Sequence, residues 1–259
     1  MYCEINEETK VGNLVFNRAP LNLFTLGVFA EFDAMVTELE DCVNRDEVRC
    51  IVLSSAFEKA FSAGDDVKGG PETADEGVRE NDIARSVMAR IRNFPAPTIA
   101  AVDGYAMGGG AVLAYHCDYR ISTDRAVYGL AEILFGMVPN WGSTLLLGRT
   151  CKLPLLKKLL FTGERFDVQT AKELDIIQEI VAPEDLLPTA FALAEKFAAN
   201  APIGVRGTKA LLNAAADGIS DSGHYHLETS YTRVTFDSED TVEGVKAFSE
   251  KRKPVFKNK

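Results

Sequence analysis

The sequence predicts an α/β core followed by a helical C-terminal part. Three observations lead there. Short β-branched apolar runs alternate with helix-period segments through the first half of the chain. Beyond Trp141 the pattern is mostly helical. A glycine cluster, Gly104 to Gly110, stands where a buried-type strand passes into an apolar helix.

In chain order, Val11 to Asn17 reads as a strand, ended by Arg18-Ala19-Pro20. Val28, Phe29, Phe32, Met35, Val36 and Leu39 recur at helical spacing and predict a helix over Leu26 to Val43. Arg49 to Ser54 is a buried-type strand. Ala60 to Val67 reads as a glycine-containing loop, and the polar stretch Gly69 to Gly77 as a mobile one. A helix is expected over Asn81 to Asn93, stopped by Phe94-Pro-Ala-Pro97, then a strand over Thr98 to Val102. The apolar helix after the glycines reaches about Cys117, and Tyr119 to Ser122 and Ala126 to Tyr128 are short strands. Helices follow over Leu153–Phe161, Val168–Leu174, Pro183–Asn200, Pro202–Ala216 and Asp221–Arg252.

A chain of 259 residues with 46% apolar and 25% charged residues can bury a sizeable core as one large domain, or as one domain with a helical appendage. A net charge of −10 argues against a nucleic-acid surface. The five cysteines form no C-x-x-C pair and are odd in number, which suits reduced thiols. The N-terminus is acidic without an apolar run, and no stretch approaches a membrane span, so a cytoplasmic protein is expected, with no membrane partner.

Three segments carry candidate chemistry. Gly108, Gly109 and Gly110 remove every Cβ at a helix start, where free N–H groups and the positive end of the helix dipole favour a phosphate or an oxyanion. Tight helix–strand packing explains the same glycines equally well. A dinucleotide fingerprint fails, because Leu113 stands where the last glycine is needed. Gly64-Asp65-Asp66 is a turn with free backbone N–H groups, or a plain solvated turn. Glu132, among Leu130, Ala131, Ile133, Leu134 and Phe135, is either a carboxyl tuned upward by burial for proton transfer or a residue on a wet face.

Together, Lys59-Ala-Phe-Ser-Ala-Gly-Asp-Asp-Val-Lys68, Ile99-Ala-Ala-Val-Asp-Gly-Tyr-Ala-Met-Gly-Gly-Gly110, Cys117-Asp118, Tyr128-Gly-Leu-Ala-Glu-Ile133 and Glu243 to Arg252 resemble the crotonase (enoyl-CoA hydratase/isomerase) superfamily over most of the chain. The resemblance implies a spiral of ββα turns with the CoA and acyl site in residues 1–200, and a helical trimerisation region in residues 201–259, giving homotrimers or dimers of trimers. It implies an acyl-CoA substrate, with coenzyme A as part of that substrate, no separate cofactor and no metal. The thioester oxygen would be held by the main-chain N–H groups of Asp65 and Gly109, with Glu132 as the acid–base group. The Asp65 side chain is expected to point away from the developing anion. Leu21, Ala63, Asp66 and Val67 match CoA contacts; Val112, Asn140 and Trp141 would wall the acyl pocket; Lys251 and Lys253, with Arg252 and Lys257, could attract CoA phosphates, including those on a neighbouring subunit.

Typical hydratases of the family carry a further glutamate two residues after the glycines, where this chain has Val112, and Pro-Gly-x-Gly where it has Pro139-Asn140-Trp141-Gly142. One carboxylate suffices for a 1,3-proton shift, so the first expectation is an enoyl-CoA isomerase. Hydration or a hydratase-lyase reaction using Glu132 and a water comes second, ahead of decarboxylation, hydrolysis, or a non-catalytic CoA-binding trimer. His224 and His226 read as a polar helix start, and His116 as a core or interface residue.

Overall fold

The computed structural model describes residues 1–259. The chain opens with β1 (Tyr2–Asn6), β2 (Val11–Phe16) and α1 (Leu26–Asn44). Two spiral turns follow: β3 (Cys50–Ser55), β4 (Ala60–Ser62) and α2 (Ala74–Arg92), then β5 (Thr98–Val102), β6 (Tyr105–Met107) and α3 (Gly109–His116). The third turn holds β7 (Tyr119–Thr123), β8 (Val127–Gly129), α4 (Ser143–Thr150), α5 (Leu153–Thr162), β9 (Phe166–Asp167) and α6 (Val168–Glu173). The chain ends with β10 (Glu179–Val181), α7 (Leu186–Ala198), α8 (Pro202–Ala216), α9 (Asp221–Phe236) and α10 (Glu239–Ser249).

Each turn lays its first strand in one sheet and its second in another. The larger sheet runs β1-β2-β3-β5-β7-β10, parallel apart from β1; the smaller runs β4-β6-β8-β9, with β9 antiparallel. Both faces of the larger sheet are covered, which is why β3 and β5 are apolar throughout. Ile51 and Leu53 face the main core, while Cys50 and Val52 face α7, which approaches through Ala190, Ala194 and Ala198 at four-residue spacing.

Three expectations need correction. The stretch expected to be a mobile loop becomes helical at Ala74, not Asn81, because Thr73 and Glu76 form a reciprocal capping box and the acids Asp75 and Glu76 complement the helix dipole. The segment from Ala60 contains strand β4. The C-terminal stretch breaks at Asp237-Ser238, where Ser238 caps α10 through the Thr241 N–H.

Helix α8 docks on the core through Lys209 Nζ, which donates to Asp118 at 2.7 Å, and through Arg92 to Asp217 at 2.8 Å. The basic tail folds back: the N–H groups of Lys257 and Asn258 donate to the Asp240 carboxylate, and Arg49 donates to the Phe256 carbonyl.

Candidate active site

Two glycine-bearing turns meet where the smaller sheet abuts α3. Gly64 lies in the left-handed region at φ +88° and so close to the second turn that a β-carbon there would stand 2.7 Å from Met107 O and 3.0 Å from Gly109 N. Gly110 is as tight: a β-carbon would meet Ser62 O at 2.1 Å. The first turn is held from below by Asn22, whose amide donates to Phe61 O at 3.0 Å and whose carbonyl accepts from Ser62 Oγ at 2.7 Å; Ser62 Oγ in turn accepts from the Gly64 N–H.

The main-chain N–H of Asp65 has no acceptor in the chain, although its neighbours do: Phe24 donates to Gly64 O and Asp66 donates to Phe24 O, both at 2.9 Å. Gly109 is the first residue of α3, so its N–H has no carbonyl one turn back within the helix. Two free donors on turns in contact form a cradle for one oxygen, which gains negative charge when an adjacent carbon loses a proton.

Glu132 reaches the same place. Gly108, at φ +47° and ψ −122°, admits no side chain, and a β-carbon there would lie 3.4 Å from Glu132 Oε1. Glu132 Oε2 is buried without a hydrogen-bond partner. Burial pushes the Glu132 carboxyl above its ordinary range. The turn it opens, Glu132 to Phe135, directs Ile133, Leu134 and Phe135 outward while the acid faces in.

Val112 follows one turn along α3, 1% exposed, where a second glutamate would stand in the hydratase pattern. Trp141 packs on Gly109 so closely that a β-carbon there would meet the indole at 2.0 Å. It is 6% exposed, sits at φ +56°, and makes edge-to-face contacts with Phe24 and Phe29 at 5.9 and 5.1 Å. Its main-chain N–H donates to Asn81 Oδ1 of α2 at 3.4 Å.

Burial, followed by the like charges of Glu80 and Glu132, pushes the Asp65 carboxyl up to about 7. The residue as a whole keeps contact with solvent, which screens this effect.

Leu21 stands beside Ala63, whose N–H donates to its carbonyl at 2.9 Å; Asp66 and the exposed Val67 follow along the same edge, and Asn140 is exposed next to Trp141. Lys251 and Lys253 are exposed but are not drawn to this turn pair, and Arg252 is neutralised by Glu243 and Glu250. A cavity of about 940 Å³ lies elsewhere, between α3, α4 and α8, lined by Tyr115, His116, Arg120 and Phe256 and by none of Asp65, Gly109 or Glu132. His116 is a core residue: its Nδ1–H donates to Val112 O at 2.8 Å, and burial lowers it to about 4. His224 and His226 lie in the first turns of α9, and no group of three or more His, Cys, Asp or Glu side chains is arranged to hold a metal ion. No helix is long and apolar enough to cross a membrane.

A two-sheet ββα spiral with paired N–H donors and an inward-facing carboxyl points to an enzyme of acyl-CoA thioesters. The sequence pattern of the enoyl-CoA hydratase/isomerase family matches residues 6–259, and the chain belongs to that family. It is 32% identical over 258 residues to the short-chain-enoyl-CoA hydratase of Clostridium acetobutylicum, covering 98% of this chain and 97% of the relative. It is 37% identical over 218 residues to mouse mitochondrial enoyl-CoA hydratase domain-containing protein 2, covering 82% and 73%. The crystal structure of an enoyl-CoA hydratase from Bacillus anthracis superposes with a TM-score of 0.90 at 31% identity over 99% of both chains.

Proposed function

We propose that this protein shifts the double bond of a 3-enoyl-CoA into conjugation with the thioester, with Glu132 as the base. The Asp65 and Gly109 N–H groups would hold the thioester oxygen as the α-proton leaves, and losing one such donor typically costs about 100- to 1,000-fold in rate. One carboxylate is enough to take the α-proton and return one at the γ-carbon. The observation that carries this reading is the pair of buried apolar residues at the glycine turn: Val112 stands where a second glutamate would be, and Trp141 packs on Gly109. A bound water needs about two to four polar partners, and a valine in place of the second glutamate offers it none.

Hydration is the second reading, favoured by the similarity to the hydratases of Clostridium acetobutylicum and Bacillus anthracis. Incubating 3-enoyl- and 2-enoyl-CoA with the protein separates the two, since an isomerase moves the double bond without forming a hydroxyacyl product. Glu132→Gln should abolish turnover while CoA-ester binding survives; normal turnover would remove Glu132 from the chemistry.

The CoA moiety would run past Leu21, Ala63, Asp66 and Val67, with the acyl group against Val112, Asn140 and Trp141. A homotrimer, or a dimer of trimers, would cover the exposed apolar residues Leu134, Phe135 and Val138 and those of α9 and α10, such as Phe236 and Phe248. In that assembly Lys251 and Lys253 could serve a neighbour's CoA phosphates.

A further inference from the structure

Trp141 is the one aromatic residue of the chain in the left-handed region, at φ +56°. That conformation disfavours any residue with a β-carbon. Flanking bonds hold it there: the Trp141 main-chain N–H donates to Asn81 Oδ1, and Asn140 O accepts from the N–H and the Oγ of buried Ser143 at 3.1 and 2.8 Å. Strain over-determined by its surroundings marks a position where side-chain placement matters.

The indole so placed touches both halves of the oxygen cradle. On one side its outer edge lies over the Gly109 α-carbon: a β-carbon there would stand 2.0 Å from Cζ3 and 2.4 Å from Cη2. On the other side it meets Phe24 and Phe29 at nearly right angles, and those two rings are stacked 5.2 Å apart. Edge-to-face and stacked contacts fix ring positions more narrowly than aliphatic ones. Phe24 in turn fixes the first turn through its main chain. It donates to Gly64 O, accepts from the Asp66 N–H, and pairs directly with Asp65. One rigid plane therefore stands between the residue that carries one N–H donor and the residue that holds the other.

We propose that Trp141 is the positioning residue of the cradle, and that its indole sets the separation of the Asp65 and Gly109 N–H groups. This rests on those two groups holding a thioester oxygen, and it applies to double-bond migration and to hydration alike. A misplacement of about 1 Å at such a site costs roughly 100-fold in rate.

The probe is butanoyl-CoA labelled with 13C at the thioester carbonyl, a saturated ester that can be held and deprotonated but neither isomerised nor hydrated. In wild type the carbonyl infrared band should move to lower wavenumber on binding, and the α-protons should exchange in heavy water. Trp141→Ala should return the band towards its free position and slow exchange about 100-fold, with the dissociation constant changed only a few-fold. Trp141→Phe should fall between the two, because a phenyl keeps an edge against Phe24 but ends short of Gly109; it carries the test if the alanine variant does not fold. Phe94→Leu trims another buried aromatic, one that makes no ring contact with Trp141, and should lose stability while keeping the band. A wild-type band and exchange rate in folded Trp141→Ala or Trp141→Phe, with only affinity altered, would make Trp141 a plain pocket wall and leave the cradle standing. No band shift in wild type would remove the cradle itself.

Discussion

Replacing Gly64 by alanine tests whether contact between the two turns is what builds the oxygen cradle. At φ +88° alanine pays the left-handed penalty of about 1–2 kcal/mol. The larger effect is steric. The new methyl would stand 2.7 Å from Met107 O and 3.0 Å from Gly109 N, both main-chain atoms that cannot swing aside. Ordinary contact distances are about 3.5–4.0 Å, so the turns must part by roughly 1 Å. That separation takes the Asp65 and Gly109 N–H groups off a shared oxygen, and loss of one donor predicts a fall in kcat of about 100- to 1,000-fold. Gly218→Ala is the control: it stands at φ +77° with nothing within 4 Å of the added methyl, so it carries similar backbone strain without the clash. The assay is double-bond migration together with α-proton exchange in heavy water, with thermal unfolding measured alongside. Gly64→Ala should lose both activities while folded, and Gly218→Ala should lose only stability. Wild-type turnover by a folded Gly64→Ala protein would refute the idea that the turn contact forms the cradle.

Trp141→Ala removes a buried aromatic at a typical cost of about 3–5 kcal/mol and opens space beside Gly109, so enoyl-CoAs with bulkier acyl groups should gain kcat/KM relative to short ones; an unchanged preference across an acyl-length series would take Trp141 out of the pocket. Asp46 is a test of pH linkage: burial works against its charge, but hydrogen bonds from Arg49 and Lys10 prevail and hold the carboxyl below its ordinary value. A depressed carboxyl stabilises the fold above its unfolded value, and that contribution fades as pH falls through the folded value. Asp46→Asn should therefore be less stable than wild type in urea at neutral pH, with the gap closing below about pH 4; a pH-independent gap would show that the ion pairs are not its source.

The glycine cluster, the Gly64-Asp65 turn and Glu132 were all legible in the sequence, because each is a local departure from its surroundings: missing β-carbons at a helix start, a polar turn after a buried strand, an acid in an apolar run. Their convergence was not legible, since it depends on spiral turns bringing strands of only three residues, β4 and β6, side by side. Such strands are too short to show a period, as are β9 and β10, and β1 is mostly exposed and held by main-chain pairing with β2. The burial of Glu132 was expected for a reason that does not hold. Its apolar neighbours Ile133 to Phe135 do not enclose it; they face out while the turn aims the acid in. The course of the basic tail was not legible either: its charges were visible, but its main-chain ties to Asp240 and Arg49 were not.

Val112 and Trp141 are two departures from the hydratase pattern, and their placement makes them one change. A valine on α3 removes an acid that would hold water, and the indole against Gly109 makes the neighbouring surface apolar as well. On the isomerase reading Glu132, protonated once it has taken the α-proton, would then be the acid left to return a proton at the γ-carbon. Restoring only the missing acid, by Val112→Glu, would add a further buried carboxyl beside an indole that blocks the water it is meant to hold. Hydratase chemistry would require Trp141 to change as well.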